Sequence, residues 1–250
     1  MRRRGNDPHD AGNRRMSVLV VTGTGTGVGK TVVAAAVAAL RAQRGDRVAY
    51  FKVAQTGVPG DEPDVDVVRR LAGDVEVVEG ARYPDPLSPE AAARRCGRPP
   101  VDLDHVVAVV GDLAATYPLV VVEGAGGLLV RHDSAGSTLA DLAGRLGAPV
   151  LLVVGAGLGT LNATALTLEA LASRRLVLDG IVIGSWPTSP DLAECSNLDD
   201  LAALADRPLA GALPADAGGL QQAEFLTAAR AGLGPQYGGN YSAPRERRPR

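Results

Sequence analysis

Short apolar runs alternate with longer stretches of helical periodicity along this chain of 250 residues. The apolar runs predict strands at residues 17–22, 47–53, 119–122, 150–154 and 178–183. Helical patterns cover residues 30–44, 101–116, 137–146, 160–174, 196–205 and 219–231. Strands this apolar are typical of parallel sheets that are covered on both faces. The alternation therefore predicts an α/β fold with a doubly wound, mostly parallel sheet.

Residues 16–233 are expected to form a single domain, since neither composition nor periodicity changes abruptly within them. Residues 1–15 and 234–250 hold arginine, glycine, proline and asparagine without a periodic pattern. We therefore expect a disordered N-terminal extension and a disordered basic tail. Each end carries a net charge of +3 within a total of −2, which leaves −8 on the domain.

The overall composition excludes several classes of protein. With 46% hydrophobic and 22% charged residues, the chain can bury a sizeable core. Its two cysteines and three histidines show neither a disulfide framework nor the spacing of zinc ligands. The net charge and the 3% of aromatic residues argue against a nucleic-acid partner, and no run approaches the ~18 apolar residues of a membrane span. We therefore expect a cytoplasmic protein with neither nucleic-acid nor membrane partners.

Lysine is scarce in this chain. Lys30 and Lys52 are the two lysines among 26 basic residues, and the other 24 are arginine. Because arginine supplies the generic positive charge, each lysine is a candidate for a role that needs a compact ammonium group on a flexible stem. Chance is the competing explanation.

A glycine-rich segment, residues 23–31, lies between the first predicted strand and the first predicted helix. Its glycines allow backbone N–H groups to turn inward, and the helix N-terminus adds partial positive charge, so an anion is favoured there. Lys30 can reach the β- and γ-phosphates of a nucleotide, and the Thr31 hydroxyl can bind Mg²⁺. Five residues separate Gly23 from the Gly-Lys-Thr, one more than in the common phosphate loop. The expected nucleotide-binding residues here are Gly27, Val28, Gly29, Lys30 and Thr31.

Glu123 directly follows the predicted strand at residues 119–122 and opens the sequence Glu-Gly-Ala-Gly-Gly. Ligands of open α/β sheets bind at the carboxyl ends of the strands. We therefore expect Glu123 to bind Mg²⁺, directly or through water, unless it only caps the following turn. The glycines that would bring backbone N–H groups to the nucleotide are Gly124, Gly126 and Gly127.

Lys52 also ends a predicted strand, in the sequence Lys-Val-Ala-Gln-Thr-Gly. It is expected to lie near Lys30 if both strands contribute to one site, and Thr56 adds a hydroxyl four residues later. Two cations that converge in this way need anions between them, such as a triphosphate and a second, negatively charged reactant. A surface lysine is the alternative interpretation.

An acidic segment with Asp61, Glu62, Asp64 and Asp66 leads into the next helical pattern. Such residues are favoured in the first turn of a helix, where they are usually solvated. One of them could instead bind a metal ion, and the spacing alone does not select which.

Four sequence motifs together resemble the dethiobiotin synthetases, a family of the deviant P-loop NTPases. They lie at residues 20–31, 52–57, 122–127 and 159–164 and occur in the family's order, over about residues 16–230. A phosphate loop with this additional residue is also typical of that family. The resemblance implies a P-loop α/β fold and a homodimer that uses ATP, or another nucleoside triphosphate, with Mg²⁺.

The reaction that the resemblance implies makes the cyclic urea of dethiobiotin from 7,8-diaminononanoate and CO₂, in biotin biosynthesis. A substrate amine takes up CO₂ as a carbamate, and the carbamate oxygen attacks the γ-phosphate to give a carbamic-phosphoric anhydride. The second amine then closes the ring and expels phosphate. The enzyme would therefore be a cyclo-ligase that forms C–N bonds.

The resemblance also implies roles for individual residues. Lys52, Thr26 and Lys30 correspond to the catalytic residues, and Thr56 to a hydroxyl on the reacting carbamate. Thr31, Asp64 and Glu123 correspond to the Mg²⁺ ligands. The segment expected to reach the carboxylate of the substrate bound to the partner subunit consists of Gly159, Thr160, Leu161 and Asn162.

Two positions depart from the family's pattern. Val53 follows the second lysine where proline is common, and the segment after the late strand has no asparagine to read adenine. ATP is the expected nucleotide, although this segment leaves the preference for its base open. The residues expected around the base are Ser185, Trp186, Pro187, Leu213 and Pro214.

A nucleotide-switch ATPase of the partition or septum-positioning type is the main alternative. Proteins of that type place an additional lysine early in the loop, where this chain has Thr24 and Gly25. They often carry an amphipathic membrane-binding tail, which the arginine-rich C-terminus does not resemble. A synthetase of the glutamine amidotransferase type would need a further domain, for which no length remains.

Overall fold

A computed structural model describes residues 18–57 and 62–242. The predictions for residues 1–15, for Asp61 and for residues 243–250 lie outside the described residues. None of the helices in the described part is both long and apolar enough to cross a membrane.

Within the described residues, seven strands form one sheet in the order β3-β2-β4-β1-β5-β6-β7, and every neighbouring pair is parallel. The α/β prediction is therefore confirmed, with a sheet that is wholly parallel. The strands are β1 Val18–Gly23, β2 Val48–Thr56, β3 Glu76–Tyr83, β4 Leu119–Gly127, β5 Val150–Val154, β6 Leu178–Trp186 and β7 Gly211–Pro214.

Helices cover both faces of this sheet. On one face α1, α2 and α8 bury a cluster with the inward side chains of the strands, and on the other face α3 to α7 do the same. The helices are α1 Lys30–Gln43, α2 Asp64–Ala72, α3 Pro89–Cys96, α4 Leu103–Thr116, α5 Leu139–Leu146, α6 Thr160–Ser173, α7 Leu192–Leu204 and α8 Gln222–Gly232.

The sequence pattern missed the two edge strands. β3 contains two glutamates and a glycine and is only partly buried, so its sequence has no continuous apolar run. β7 has four residues, one of them a glycine and one a proline. An edge strand is covered on fewer sides than a central strand, so its composition carries a weaker signal.

The prediction of a disordered tail from Gly234 onwards is wrong for residues 234–242. Pro235–Tyr237 forms a turn of 3₁₀ helix, and Tyr237 is buried with its hydroxyl donating to the Asp179 carboxylate. The backbone N–H of Tyr241 donates to the carbonyl of Leu233 at 2.9 Å. The glycine and proline composition suggested disorder, but the buried tyrosine ring anchors this segment to the sheet.

The glycine-rich loop packs tightly against the end of β6. Gly29 has a φ of +93°, and a Cβ at this position would lie 2.5 Å from the carbonyl oxygen of Gly184. A Cβ on Gly184 would in turn lie 2.1 Å from the carbonyl oxygen of Val28. Both positions therefore require glycine, and the loop is fixed to the sheet by contacts between backbones.

The substitution Gly184→Ala is expected to destabilise the protein by about 1–3 kcal/mol, since the new methyl group has no space beside the loop. Gly111→Ala is the matched control, because Gly111 lies inside α4 and a Cβ added there would meet no atom within 4 Å. The control should stabilise the protein by about 0.5–1 kcal/mol. Urea unfolding curves measure both changes, and equal stability of the two variants would contradict this account.

His132 is buried in the connection between β4 and α5. Its Nδ1 lies 3.1 Å from the carbonyl oxygen of Val130, and its Nε2 has no hydrogen-bond partner among the described residues. Burial lowers the pKa of this imidazole, against an opposing effect of its bond to the Val130 carbonyl and of Asp133. The folded protein therefore holds His132 neutral at pH values at which the unfolded chain takes up a proton.

Because the unfolded histidine has the higher pKa, stability should fall as the pH drops below about 6.5. His132→Gln should reduce this loss, by up to about 1.4 kcal/mol per pH unit between the two pKa values. His105→Gln, on the exposed side of α4, is the control and should retain the wild-type dependence. The free energy of unfolding at pH 5 to 7.5 tests this, and identical slopes for wild type and His132→Gln would refute it.

Candidate functional site

A cavity of about 650 Å³ opens at the carboxyl ends of β1, β2 and β4. The glycine-rich loop forms one side, the end of β2 and the start of α2 form another, and the segment 86–89 before α3 lies opposite. Of the predicted site residues, the cavity is lined by Thr26, Gly27, Gly29, Lys30, Thr31, Lys52, Thr56, Asp64, Glu123 and Gly126. The structure thus brings together the residues of three separate motifs.

The register of the strands explains this convergence. Lys52 of β2 is paired directly with Glu123 of β4, so the charged position of each strand falls at the same height of the sheet. Both side chains point to the face that α1 covers, as do Tyr50 and Val121 two residues earlier. Since side chains alternate between faces, the two strands deliver a lysine and a glutamate next to the first turn of α1.

Lys52 contacts both acidic side chains of the cavity, Glu123 and Asp64. Its Nζ lies 2.7 Å from Glu123 Oε1 and 2.5 Å from Asp64 Oδ2, and it also donates to the carbonyl of Gly124 at 3.0 Å. Burial lowers the pKa of Lys52, but the carboxylates of Glu123 and Asp64 outweigh it, so the net shift is upward. The ammonium group is therefore kept protonated in a place where few water molecules can reach it.

Glu123 is completely buried and is held by three donors. Thr31 Oγ1 donates to Oε1 at 3.0 Å, in addition to Lys52, and the hydroxyl of Tyr50 donates to Oε2 at 2.8 Å. A buried carboxylate must be paired and hydrogen-bonded to remain charged, and these contacts meet that requirement. They also connect β4 to the first turn of α1.

Lys30 is the second buried cation. Its Nζ donates to the carbonyl of Gly25 at 2.8 Å, so the side chain folds back over the glycine-rich loop. Burial is the main cause that lowers the pKa of Lys30, and the charge of Lys52 lowers it further, against Glu123 and Asp64. An anion between the two ammonium groups would offset this repulsion, and the loop N–H groups supply further donors there.

Of the acidic residues that the structure describes in the acidic segment, one lies at the cavity. Asp64 starts α2, faces Lys52 and has its backbone N–H bound by Gln55 Oε1 at 3.1 Å. Glu62 instead pairs with Arg70, and Asp66 pairs with Arg69, both away from the cavity. Asp64, the residue predicted from the family resemblance, is thus the one that approaches the lysine.

Apart from the residues expected around the base, three predicted nucleotide-binding residues do not line the cavity. Val28 contributes its backbone to the packing against Gly184, and the carbonyl of Gly124 accepts from Lys52. Gly127 pairs with Gly23 of β1. These three residues therefore make contacts within the loop and the sheet and do not face the cavity.

The residues expected around the base lie at the same edge of the sheet but outside the cavity. Trp186 pairs with Pro214, and its carbonyl accepts from the backbone N–H of Ala215 at 2.9 Å, while Ser185 and Pro187 flank Trp186. The side chain of Leu213 is buried in the hydrophobic core, so it is not available to a ligand in this structure.

The segment of Gly159, Thr160, Leu161 and Asn162 begins α6, beyond β5, and is not part of the cavity. The Thr160 hydroxyl is buried and donates to the carbonyl of Gly155 at 2.7 Å. Asn162 is exposed, and so is Leu158 immediately before the segment. Within one chain, this segment therefore does not approach Lys52.

Sequence reasoning missed four features of the site. They are Tyr50, Gln55, the 86–89 segment and Val130. Period-two alternation could have found Tyr50, since it lies on the same face of β2 as Lys52. No local signal marks the 86–89 segment or Val130, which reach the cavity through the tertiary fold.

The described residues contain no group of three or more histidine, cysteine, aspartate or glutamate side chains arranged to hold a metal ion. Asp64 and Glu123 supply two carboxylates, and Thr31 supplies a hydroxyl oxygen, around the Lys52 ammonium. Oxygen ligands of this kind suit Mg²⁺, which typically takes one or two carboxylates and completes its shell with water and phosphate oxygens.

Solved structures with a similar fold are P-loop ATPases. The ParA family ATPase of Chlorobium tepidum covers 85% of this chain and 96% of its own, with a TM-score of 0.55 and 15% identity. The cell-division ATPase MinD of Pyrococcus furiosus covers 86% and 95%, with a TM-score of 0.57 and 16% identity. At such low identity the likeness shows the fold alone, and it gives the switch alternative no further support.

Sequence comparison identifies much closer relatives. A family model described as an AAA domain matches residues 17–219. The ATP-dependent dethiobiotin synthetase BioD of Frankia casuarinae is 62% identical over 91% of this chain and 96% of that protein. The protein of the same name from Streptomyces coelicolor is 57% identical over 91% and 96%. This chain therefore belongs to the dethiobiotin synthetase family.

Proposed function

We propose that this protein makes dethiobiotin from 7,8-diaminononanoate, CO₂ and ATP and releases ADP and phosphate. The observation that carries the proposal is the convergence of both lysines of the chain with Glu123 and Asp64 at one phosphate-loop cavity. Relatives that are 57% and 62% identical are named for this activity. We expect it to act in the cytoplasm, where ATP is available.

The chemistry requires several anions to lie side by side. The nitrogen of one substrate amine attacks CO₂ and loses a proton, giving a carbamate. A carbamate oxygen then attacks the γ-phosphorus and breaks its bond to the ADP oxygen. The second amine attacks the carbamoyl carbon, expels phosphate and closes the urea ring. The second step brings the carbamate and the triphosphate, both anions, into contact, and preorganised cations and N–H donors stabilise such charges.

The positions of the two lysines support a different role for each. Lys30 lies in the loop that would hold the β- and γ-phosphates, and Lys52 lies across the cavity where carbamate and γ-phosphate would meet. Thr26 and Thr56 line the same cavity, and we propose that they donate hydrogen bonds to the reacting oxygens. The ammonium of Lys52 provides charge and orientation and does not act as a base, since its carboxylate neighbours raise its pKa.

Thr31, Asp64 and Glu123 are proposed to hold Mg²⁺. The donor set fits, because two carboxylates already balance a cation, Lys52, at 2.5 and 2.7 Å. When bound, Mg²⁺ would neutralise charge on the phosphate oxygens. Tyr50 and Gln55 support this set, the first through Glu123 and the second through the backbone of Asp64.

The base of the nucleotide is proposed to lie near the ends of β6 and β7. Gly184 packs directly against the phosphate loop, so Ser185, Trp186 and Pro187 are the next residues along the path from phosphates to base. Pro214 is exposed beside Trp186, and Leu213 could contribute only backbone atoms.

A homodimer is proposed to form through α6. This helix carries one charged residue, Glu169, over 14 positions, and Leu166 on its surface is 59% exposed. Leu158 before α6 and Leu192 at the start of α7 are 90% and 88% exposed. α6 and α7 pack against each other, and large exposed apolar residues on neighbouring elements support an association site there. A partner seated there would bring the segment 159–162 to the second copy's site.

Synthesis of dethiobiotin by the purified protein tests the proposed function. With 7,8-diaminononanoate, bicarbonate, Mg²⁺ and ATP, the expected products are dethiobiotin, ADP and phosphate, detected by mass spectrometry and a coupled ADP assay. Absence of dethiobiotin with each of the common nucleoside triphosphates would contradict the proposal.

Replacing Lys52 with alanine should reduce turnover at least ~100-fold, because it removes one preorganised charge from the reacting centre. ATP binding, measured by calorimetry, should persist, since Lys30 and the loop remain. Arg94→Ala is the control, because Arg94 is an exposed cation in a surface pair with Glu90 and should change neither quantity. Turnover near wild type in Lys52→Ala would show that Lys52 has another role.

Replacing Leu166 with aspartate should convert the dimer to monomers, since a carboxylate would be desolvated at the apolar interface. Turnover should fall with it, because the segment 159–162 would no longer reach a second site. Val177→Asp is the control, a similarly exposed apolar position that precedes β6, at the amino-terminal end of that strand. Sedimentation velocity gives the mass, and a Leu166→Asp dimer would argue against this interface.

A further inference from the structure

Glu123 is bound unsymmetrically, and the tyrosine that binds it has no place in the reaction described above. Tyr50 and Glu123 are both fully buried, and the Tyr50 hydroxyl donates to Oε2 at 2.8 Å. The other oxygen, Oε1, accepts from Thr31 and from Lys52. Among the described residues, Tyr50 is the one donor to Oε2.

The position of Tyr50 follows from the sheet. Tyr50 lies two residues before Lys52, on the same face of β2, and is paired with Val121 of β4. Its ring therefore reaches diagonally to Glu123, two residues further along β4. Both side chains are fully buried, so the contact between the phenol and Oε2 is shielded from water.

A carboxylate with both oxygens available can bind a cation in two ways. Ca²⁺ accepts bidentate carboxylates in irregular shells at 2.3–2.6 Å, whereas Mg²⁺ demands near-octahedral geometry at 2.0–2.1 Å and retains several waters. A bidentate carboxylate fits the first ion and strains the second. Oε2 of Glu123 is held by the fully buried phenol of Tyr50 and is not available for bidentate binding. The two donors to Oε1, Thr31 and Lys52, instead line the cavity and can turn toward a ligand there.

We propose that Tyr50 is a positioning residue that withholds Oε2 of Glu123, so that the glutamate presents one oxygen and the site selects Mg²⁺ over Ca²⁺. The proposal rests on the Mg²⁺ site inferred above and adds to it a determinant of metal specificity. Tyr50 acts through Glu123 and does not itself line the cavity.

The test compares binding of the Mg²⁺ and Ca²⁺ complexes of a non-hydrolysable ATP analogue by calorimetry. Wild type should prefer the Mg²⁺ complex, and Tyr50→Phe should narrow that preference by about tenfold, the effect expected for one hydrogen bond to a charged group. The narrowing should come mainly from tighter Ca²⁺ binding, because the freed Oε2 becomes available.

Tyr83→Phe is the matched control. Tyr83 is a second buried tyrosine of the sheet, and its hydroxyl donates to the carbonyl of Pro99 at 2.8 Å, away from Glu123. This variant should lose a hydrogen bond but keep the wild-type ratio of Mg²⁺ to Ca²⁺ affinities. A merely structural role of Tyr50 would make the two variants alike.

Four results would overturn the proposal or its basis. An unchanged ratio in Tyr50→Phe, or an equal change in Tyr83→Phe, would remove the role of Tyr50 while leaving the Mg²⁺ site intact. Loss of the folded state in Tyr50→Phe would also overturn it, because the hydroxyl would then be a structural requirement. Wild-type binding without any metal preference would instead refute the Mg²⁺ site itself.

Discussion

The buried ion pair between Lys52 and Glu123 is the interaction on which the site depends. The two charges lie 2.7 Å apart at adjacent positions of paired strands, and neither is exposed to bulk water. Removing one partner from such a pair typically costs about 3–5 kcal/mol, because the other charge is left uncompensated. The pair therefore stabilises the junction of β2 and β4 and, by the same contact, fixes the position of the ammonium group at the cavity.

The central strands and their motifs could be predicted because the residues of each segment alone indicate whether it is buried. Buried strands read as apolar runs, and the end of such a run marks the edge of the sheet where Lys52 and Glu123 emerge. The edge strand β3 could not be predicted, since its charged residues and glycine interrupt the apolar pattern. The ordered segment around Tyr237 could not be predicted either, since its glycine and proline content is typical of disordered chains. The choice of Asp64 among its acidic neighbours needed tertiary structure or family resemblance, because all of them share the composition of a helix start.

The site combines two kinds of rigidity. The phosphate loop is held by steric contact, since Gly29 and Gly184 bring two backbones closer than any side chain permits. The two acidic residues of the cavity are held by hydrogen bonds. The Tyr50 hydroxyl donates to Glu123, and the backbone N–H of Asp64 donates to Gln55. Preorganised groups of this kind need little rearrangement when charge develops between them.

The strand order also has a consequence for how the chain acquires its shape during translation. β1 emerges first from the ribosome, yet both of its neighbours, β4 and β5, begin about a hundred or more residues later. An apolar strand without partners is prone to aggregate, and pairings between distant segments form slowly. β2 and β3 can pair early with each other, but β1 and the glycine-rich loop that follows it have to wait for their sheet partners until more than half of the polypeptide has been synthesised.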